Sequence, residues 1–133
     1  MRTIKFRGKS ILTDVWFCGD LVHSADKKRT GILVNDKDSY DECEVVPETV
    51  GQFTGLIDKN GAEIYEGDIV KWSNGILYAV KFWDGMFYAS VEECNEGIFG
   101  GFPLYRLIEY EDGGCEIVGN IHDNTELLKG GKE

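Results

Sequence analysis

The sequence predicts a mainly β protein with very little helix, and three observations lead to this prediction. Short runs of apolar or alternating side chains recur along the chain, as in strands. The runs are separated by Asn-Gly, Asp-Gly and Gly-Gly pairs, which favour tight β-turns. Helical periodicity is nearly absent, and the one expected helix is a C-terminal turn at 126–129, with Asn124 or Thr125 as its cap.

The N-terminal part of the chain, residues 1–55, is expected to form a β-rich lobe. Ile4 and Phe6 alternate with Lys5 and Arg7, a pattern typical of a half-buried strand with a basic outer face. Two further strands are predicted at 14–22 and 31–34, and the polar, acidic segment 37–44 is predicted to be a loop or a sheet edge.

The C-terminal part, residues 56–129, is expected to form a small antiparallel barrel, followed by a frayed tail at 130–133. Asn74-Gly75 and Asp84-Gly85 each predict a hairpin, because such pairs adopt the backbone angles of two-residue turns. Five short strands joined by tight turns are typical of a meander that closes into a barrel. The expected strands are 69–72, 76–83, 86–91, 104–110 and 116–121.

Composition and charge exclude several classes of protein. The chain has 133 residues, with 14 basic and 24 acidic side chains and a net charge of −10. No apolar run approaches the ~20 residues of a membrane-spanning helix, so we expect no membrane association and a location in the cytoplasm of the host cell. The acidic balance disfavours general attraction to nucleic acid. The charge is also uneven, with a net +4 over residues 1–29 and −14 over 30–133, and such asymmetry can mark an interaction surface.

The cysteines do not indicate a metal site or a disulfide framework. They are scattered, without a Cys-x-x-Cys pair, so we expect reduced thiols that pack mostly as small apolar side chains. The four are Cys18, Cys43, Cys94 and Cys115.

No set of residues predicts catalysis, cofactor binding or metal binding. The glycine-rich stretches lack the phosphate-binding motifs, and neither His23 nor His122 can be assigned a nucleophile. The acidic run of Glu63, Glu66 and Asp68 is interpreted as turn capping. A metal-assisted hydrolase built on these three carboxylates is the weakest alternative. We therefore expect no cofactor and a non-enzymatic function.

Aromatic side chains predict an interaction surface in the C-terminal part. They are concentrated between residues 72 and 88, and both faces of the strands 76–83 and 86–91 are apolar. Because a strand with two apolar faces is usually covered on both, the outer face is expected to contact the N-terminal lobe, another subunit or a ligand. The candidate interaction surface consists of Trp72, Leu77, Trp83, Phe87, Lys5 and Arg7.

Three sequence blocks resemble the YopX family. They are the opening RTIKFR at 2–7, the long run VPETVGQFTGLIDKNGAEIYEGDIV at 46–70 and the closing GNIHDN at 119–124. The blocks stand in the family's order and span nearly the whole chain. The resemblance implies a small phage or prophage protein, mainly β, whose C-terminal part is a barrel of the Src-homology type. It implies no activity and supplies no catalytic residue.

Two functions from different classes remain open. The first is an accessory protein that binds another protein, of the host or the phage, and self-associates into a homo-oligomer. The alternative is nucleic-acid binding through the basic N-terminal strand, with aromatic rings that stack on bases. The residues of this alternative are Lys5, Arg7, Lys9, Lys27, Lys28 and Arg29, with Trp16 or Trp72 as the stacking ring.

Overall fold

The structure, a computed structural model, describes residues 2–36, 39–109 and 114–130. These residues form eleven antiparallel strands and one short α-helix, so the predicted mainly β fold with very little helix is confirmed. The chain divides into two compact units, Met1–Phe53 and Thr54–Glu133. Within the described ranges, no helix is long and apolar enough to cross a membrane.

The first unit contains β1 (Phe6–Lys9), β2 (Trp16–His23), β3 (Thr30–Asp36), β4 (Ser39–Glu44), a 3₁₀ helix (Pro47–Thr49) and β5 (Gly51–Ile57), whose last four residues belong to the second unit. Its strands are antiparallel and lie in the order β4-β3-β2-β1-β5. Residues 39–44 of the acidic segment predicted as a loop or edge form β4, at the edge of this sheet, and residues 37–38 lie outside the described ranges. Charged side chains at such an edge discourage pairing with another chain.

A small core fixes β1 in this sheet. Ile32 and Val45 are fully buried, and Val45 packs directly against the backbone of Gly8. A β-carbon added at Gly8 would lie 2.7 Å from Val45 Cγ2, so only glycine allows this approach. The strand predicted to begin near Ile4 starts at Phe6 instead, and Ile4, expected to be half-buried, is 51% exposed. The buried position of β1 is Gly8.

The second unit contains β6 (Glu63–Tyr65), β7 (Asp68–Trp72), β8 (Leu77–Trp83), β9 (Met86–Ser90), β10 (Gly101–Pro103), α1 (Arg106–Glu109), β11 (Cys115–Asn120) and a 3₁₀ helix (Thr125–Leu127). Five of its strands form an antiparallel sheet with the order β10-β9-β8-β7-β11. The last strand, β11, returns beside the first, β7, and among the described strands the two edges β10 and β11 share no ladder.

Both hairpins predicted from the sequence are confirmed. Asn74-Gly75 joins β7 to β8, with Gly75 at a φ of 85°. Asp84-Gly85 joins β8 to β9, and its φ angles of 53° and 77° are those of a two-residue turn with both central residues left-handed. This turn fixes the register in which Trp83 lies opposite Met86.

The core of the second unit lies beneath this sheet. Nine buried residues form one cluster, and half-buried side chains such as Trp72, Phe87 and Phe102 pack against it. The nine are Ile64, Val70, Tyr78, Val80, Ala89, Val91, Leu104, Leu107 and Cys115.

The strand predicted at 104–110 is wrong. Pro103 ends β10, and the next residues form a turn and the helix α1. Leu104 and Leu107 are both fully buried, and this spacing of three residues places two side chains on one face of a helical turn. The amide of Leu107 accordingly donates to the carbonyl oxygen of Leu104, at 3.0 Å.

The C-terminal helix is shorter than predicted and lacks the expected cap. It is a 3₁₀ helix over Thr125–Leu127, and Asn124 makes no side-chain capping bond to it. The Asn124 carboxamide oxygen instead accepts from the amide of Asn120, at 3.0 Å. Of the expected frayed tail, residues 131–133 lie outside the described ranges.

The expectation that most of the cysteines pack as buried side chains is wrong. All four are free thiols, but only Cys115 is buried, while Cys43 and Cys94 are half-buried and Cys18 is exposed. Burial raises the pKa of both the Cys94 and the Cys115 thiol to about 11.

Candidate interaction surface

The most exposed aromatic pair on a strand lies at the end of the β8–β9 hairpin. We call the five residues Phe82, Trp83, Met86, Phe87 and Tyr88 the hairpin tip. Phe82 and Trp83 are 53% and 55% exposed, although they belong to a strand whose middle is buried. The apolar character of β8 therefore extends past the region that the core covers.

The rings of the hairpin tip are held in two pairs, one on each face of the hairpin. Phe82 lies opposite Phe87 in the ladder, and their ring centroids are 5.2 Å apart at an interplanar angle of 74°. On the other face, Trp83 contacts the diagonally placed Tyr88, also at 5.2 Å. Aromatic pairs in such tilted or edge-to-face arrangements stabilise each other, so the rings are preorganised before any partner binds.

An ion pair lies next to the hairpin tip. Lys81 Nζ donates to Glu93 Oε1 at 2.7 Å, and this hydrogen bond raises the pKa of Lys81. Burial alone would raise the pKa of Glu93, but hydrogen bonds from Lys81 and Ser90 outweigh burial and lower it. The pair thus stays charged near neutral pH and ties β8 to the segment after β9.

The structure does not bring all the predicted surface residues together. Trp72 and Leu77 lie beside the β7–β8 turn, whereas Trp83 and Phe87 lie at the opposite end of β8, roughly 20 Å away along the strand. Trp72 packs against Phe102 and Tyr78, at centroid distances of 6.2 and 6.5 Å. Trp83 is thus the one exposed residue of these four.

The two predicted basic residues lie in the first unit, each over an aromatic ring. The Lys5 ammonium is 5.2 Å from the centroid of Phe53, and the Arg7 guanidinium is 4.9 Å from that of Trp16. Such cation–π contacts orient the side chains on one face of the sheet. Trp16, named as a stacking ring in the nucleic-acid alternative, is therefore already in contact with Arg7.

The acidic run weighed as a metal site stabilises a turn. Asp68 is 1% exposed, and its Oδ2 accepts from the amide of Tyr65 at 2.7 Å. The Tyr65 hydroxyl in turn donates to Glu63 Oε1, at 3.2 Å. Among the described residues, no group of three His, Cys, Asp or Glu side chains could hold a metal ion.

A second buried carboxylate joins a turn to a strand. Asp58 Oδ1 accepts from the amides of Asn60 and Ala62, both at 2.9 Å, and Oδ2 accepts from the amide of Ile117 in β11, at 3.0 Å. Burial alone would raise the pKa of Asp58, but these three hydrogen bonds and nearby Lys59 lower it.

Two blocks of the sequence that resemble the YopX family meet in the second unit. The amide of Ile121 donates to the carbonyl oxygen of Gly67 at 2.9 Å, and Asn120 lies opposite Asp68 in the β7–β11 ladder. Gly119 is required here, since a β-carbon would lie 2.5 Å from Asn124 Oδ1. These blocks build the scaffold that holds β7, and hence β8, in place.

Sequence reasoning missed two exposed apolar sites. Leu12, in the turn between β1 and β2, is 86% exposed, and Phe99 in the loop before β10 is 73% exposed. In the sequence, Ser10 indicates the turn that exposes Leu12, because short hydroxyl side chains accept hydrogen bonds from nearby backbone amides in turns. Ser10 Oγ accepts from the amides of Leu12 and Thr13.

These features define a small two-unit β protein whose most exposed strand aromatics are held at a hairpin end. The chain matches the family described as YopX protein over residues 5–129, and it belongs to that family. It is also similar in fold to the crystal structure of protein EF1440 from Enterococcus faecalis. That match has a TM-score of 0.59 and 22% identity, and covers 96% of this chain and 99% of the other. No curated protein matches the chain.

Proposed function

We propose that this chain is a protein-binding module that self-associates, with the hairpin tip as its contact surface. It would serve a phage or prophage in the cytoplasm of the host cell, as an accessory protein without an enzymatic role. The observation that carries the proposal is the exposure of Phe82 and Trp83 on a rigid, paired hairpin.

An exposed apolar cluster on a folded chain marks an interaction site more often than a scattered apolar side chain does. Tryptophan and tyrosine are enriched among the residues that dominate binding energy. Because the ring pairs are already formed, little side-chain entropy is lost when a partner covers them.

The area of the hairpin tip sets the expected strength. With roughly 150–250 Å² per aromatic side chain, about half of it exposed in Phe82 and Trp83 and less than that in Phe87 and Tyr88, the tip offers roughly 200–400 Å². A standard stable interface buries about 800 Å² on each partner. The tip alone therefore supports weak association, and a second contact must add to it.

A second copy is the partner that the charge distribution favours. Residues 1–29 carry a net charge of +4 and residues 30–133 a net charge of −14, so each copy carries both signs. Opposite patches on two copies can face each other, which gives specificity and orientation to an apolar contact.

The test replaces the hairpin-tip rings and measures association. We expect the variant Phe82→Ala/Trp83→Ala to weaken self-association at least tenfold in sedimentation equilibrium, because it removes the most exposed rings. Tyr105→Ala is the matched control, since Tyr105 is an exposed aromatic side chain outside the tip. Equal loss in both variants, or no loss in the hairpin-tip variant, would contradict the proposal.

Nucleic-acid binding remains the alternative, supported by the two cation–π pairs on one sheet face of the first unit. The net charge of −10 opposes it. We expect no binding of a labelled single-stranded oligonucleotide in fluorescence anisotropy at about 50 mM salt, where phosphate contacts are strongest. Binding that Lys5→Ala/Arg7→Ala removes would replace our proposal with this one.

A further inference from the structure

The β2–β3 turn presents basic side chains from a rigid backbone. Ser24 Oγ donates to Asp26 Oδ1 at 2.6 Å, and the same carboxylate oxygen accepts from the amide of Lys28 at 3.0 Å. The amide of Arg29 donates to Ser24 Oγ, also at 3.0 Å. Lys27 has a φ of 60°, a left-handed conformation unusual for lysine, at the end of the turn.

The three basic residues of this turn are all exposed, and one of them lines a pocket. Arg29 lines a 260 Å³ pocket together with Glu42 and Glu44, so its charge faces acidic groups nearby. Lys27 and Lys28 are both exposed. The turn therefore holds the two lysine ammonium groups exposed to solvent on a hydrogen-bonded backbone.

A cleft in the second unit is lined by acidic and apolar residues that complement the lysines of the turn. It has a volume of about 430 Å³ and is lined by Leu127, Leu128 and Cys94, with Glu96 and Glu126 adding carboxylates. Lys129, which also lines it, has its ammonium group 5.6 Å from the ring centroid of Phe99. Apolar walls with carboxylates suit a lysine side chain, which buries its methylene stem and keeps its charge paired.

We infer that Lys27 and Lys28 of one copy dock at the carboxylates of this cleft in a second copy. This inference rests on the proposed self-association and supplies the second contact that the hairpin tip requires. A second copy fits better than a nucleic acid as the partner of this turn. A nucleic acid is a polyanion, and two lysines would have to attract it against the net charge of −10 of the whole chain. Two carboxylates in a cleft, by contrast, can pair with the two lysine ammonium groups at short range.

The experiment uses charge reversal on the two sides of the contact. The turn variant is Lys27→Glu/Lys28→Glu, and the cleft variant is Glu96→Lys/Glu126→Lys. In each variant alone, the turn and the cleft carry charge of the same sign and repel each other between copies. We therefore expect the association constant measured by sedimentation velocity to fall at least tenfold. In a 1:1 mixture, the lysine turn of the cleft variant meets the acidic cleft of the turn variant, and association returns.

The control variant has the same net charge as the turn variant, but its two substitutions lie outside the turn. Lys71→Glu/Arg106→Glu changes the charge as the turn variant does, at two exposed residues outside the turn. We expect it to associate like the unmodified chain, which separates local pairing from overall repulsion. Restored association in the mixture also shows that both reversed variants are folded.

The possible results separate this inference from the proposed function. If the hairpin-tip variant loses association while the turn and cleft variants keep it, the docking of the turn is wrong and the proposed function stands. An unmodified chain that stays monomeric contradicts both. Loss of oligonucleotide binding in the turn variant, where the unmodified chain binds, would assign the turn to nucleic acid and overturn the inference.

Discussion

Single side chains with several backbone partners hold this fold together, and Asp58 is the clearest case. We expect Asp58→Ala to lower the free energy of unfolding by about 2–4 kcal/mol, because three backbone amides lose their charged acceptor. Urea denaturation at neutral pH measures this change. Lys59→Ala, one residue away and exposed, is expected to change the stability by less than about 0.5 kcal/mol. Equal effects of the two substitutions would contradict the assigned role.

The same carboxylate predicts how stability depends on pH. Its pKa in the folded chain lies below the ordinary value of 3.8, so its contribution is present above that value and is lost as the pH falls through the folded pKa. Denaturation midpoints measured from neutral pH down to about pH 3 should fall less steeply for Asp58→Asn than for the unmodified chain. Identical acid slopes would show that another group controls acid unfolding.

Cysteine environments predict an order of chemical reactivity. A thiol reagent at about pH 8 is expected to modify exposed Cys18 first, because the thiolate is the reactive form and access is open. Cys94 and Cys115, whose pKa values burial raises to about 11, should react slowly. Mass spectrometry of labelled peptides over time checks this order. Rapid labelling of Cys115 in the folded chain would contradict the packing of β11.

At the scale of elements, the helix α1 replaces an expected strand and supplies part of the core. We expect Leu107→Ala to destabilise the chain by about 2–5 kcal/mol, because it leaves a cavity beneath the sheet. Arg106→Ala is the neighbouring control on the exposed side, with an expected change below about 0.5 kcal/mol. Thermal or urea unfolding distinguishes the two, and a strongly destabilising Arg106→Ala would contradict the helix.

The sequence predicts hairpins well and this helix poorly, for reasons visible in particular residues. Gly75, Asp84 and Gly85 adopt left-handed backbone angles, which few residue types supply, so the local sequence determines these turns. In the segment 104–109, apolar residues fit either a strand or one helical turn. Burial of both Leu104 and Leu107 decides between them, and this depends on the tertiary core.

Aromatic exposure could be anticipated only in part. The apolar pattern on both faces of β8 predicts that something covers each face. It does not predict that Trp72 packs against the core cluster while Trp83 is left exposed, because that depends on how far the core extends along the strand. Long-range packing thus selects the candidate surface from a larger set of aromatic residues.

In the whole molecule, self-association combines an apolar contact with a contact between opposite charges. The hairpin tip supplies rings, and the basic turn and acidic cleft supply complementary charges on separate units of the chain. Each contact alone is weak, because exposed ion pairs contribute about 0–1 kcal/mol and the tip area is small. Together they predict association with a Kd of about 1–100 µM, typical of a transient assembly.

Sedimentation equilibrium of the unmodified chain is the direct test of self-association. Self-association predicts a weight-average mass that rises above the 14.9 kDa of one chain as the concentration increases from about 1 µM to about 500 µM. We expect the rise to be largely absent in Phe82→Ala/Trp83→Ala over the same range. A mass that stays at 14.9 kDa throughout would contradict self-association and, with it, the role proposed for the hairpin tip.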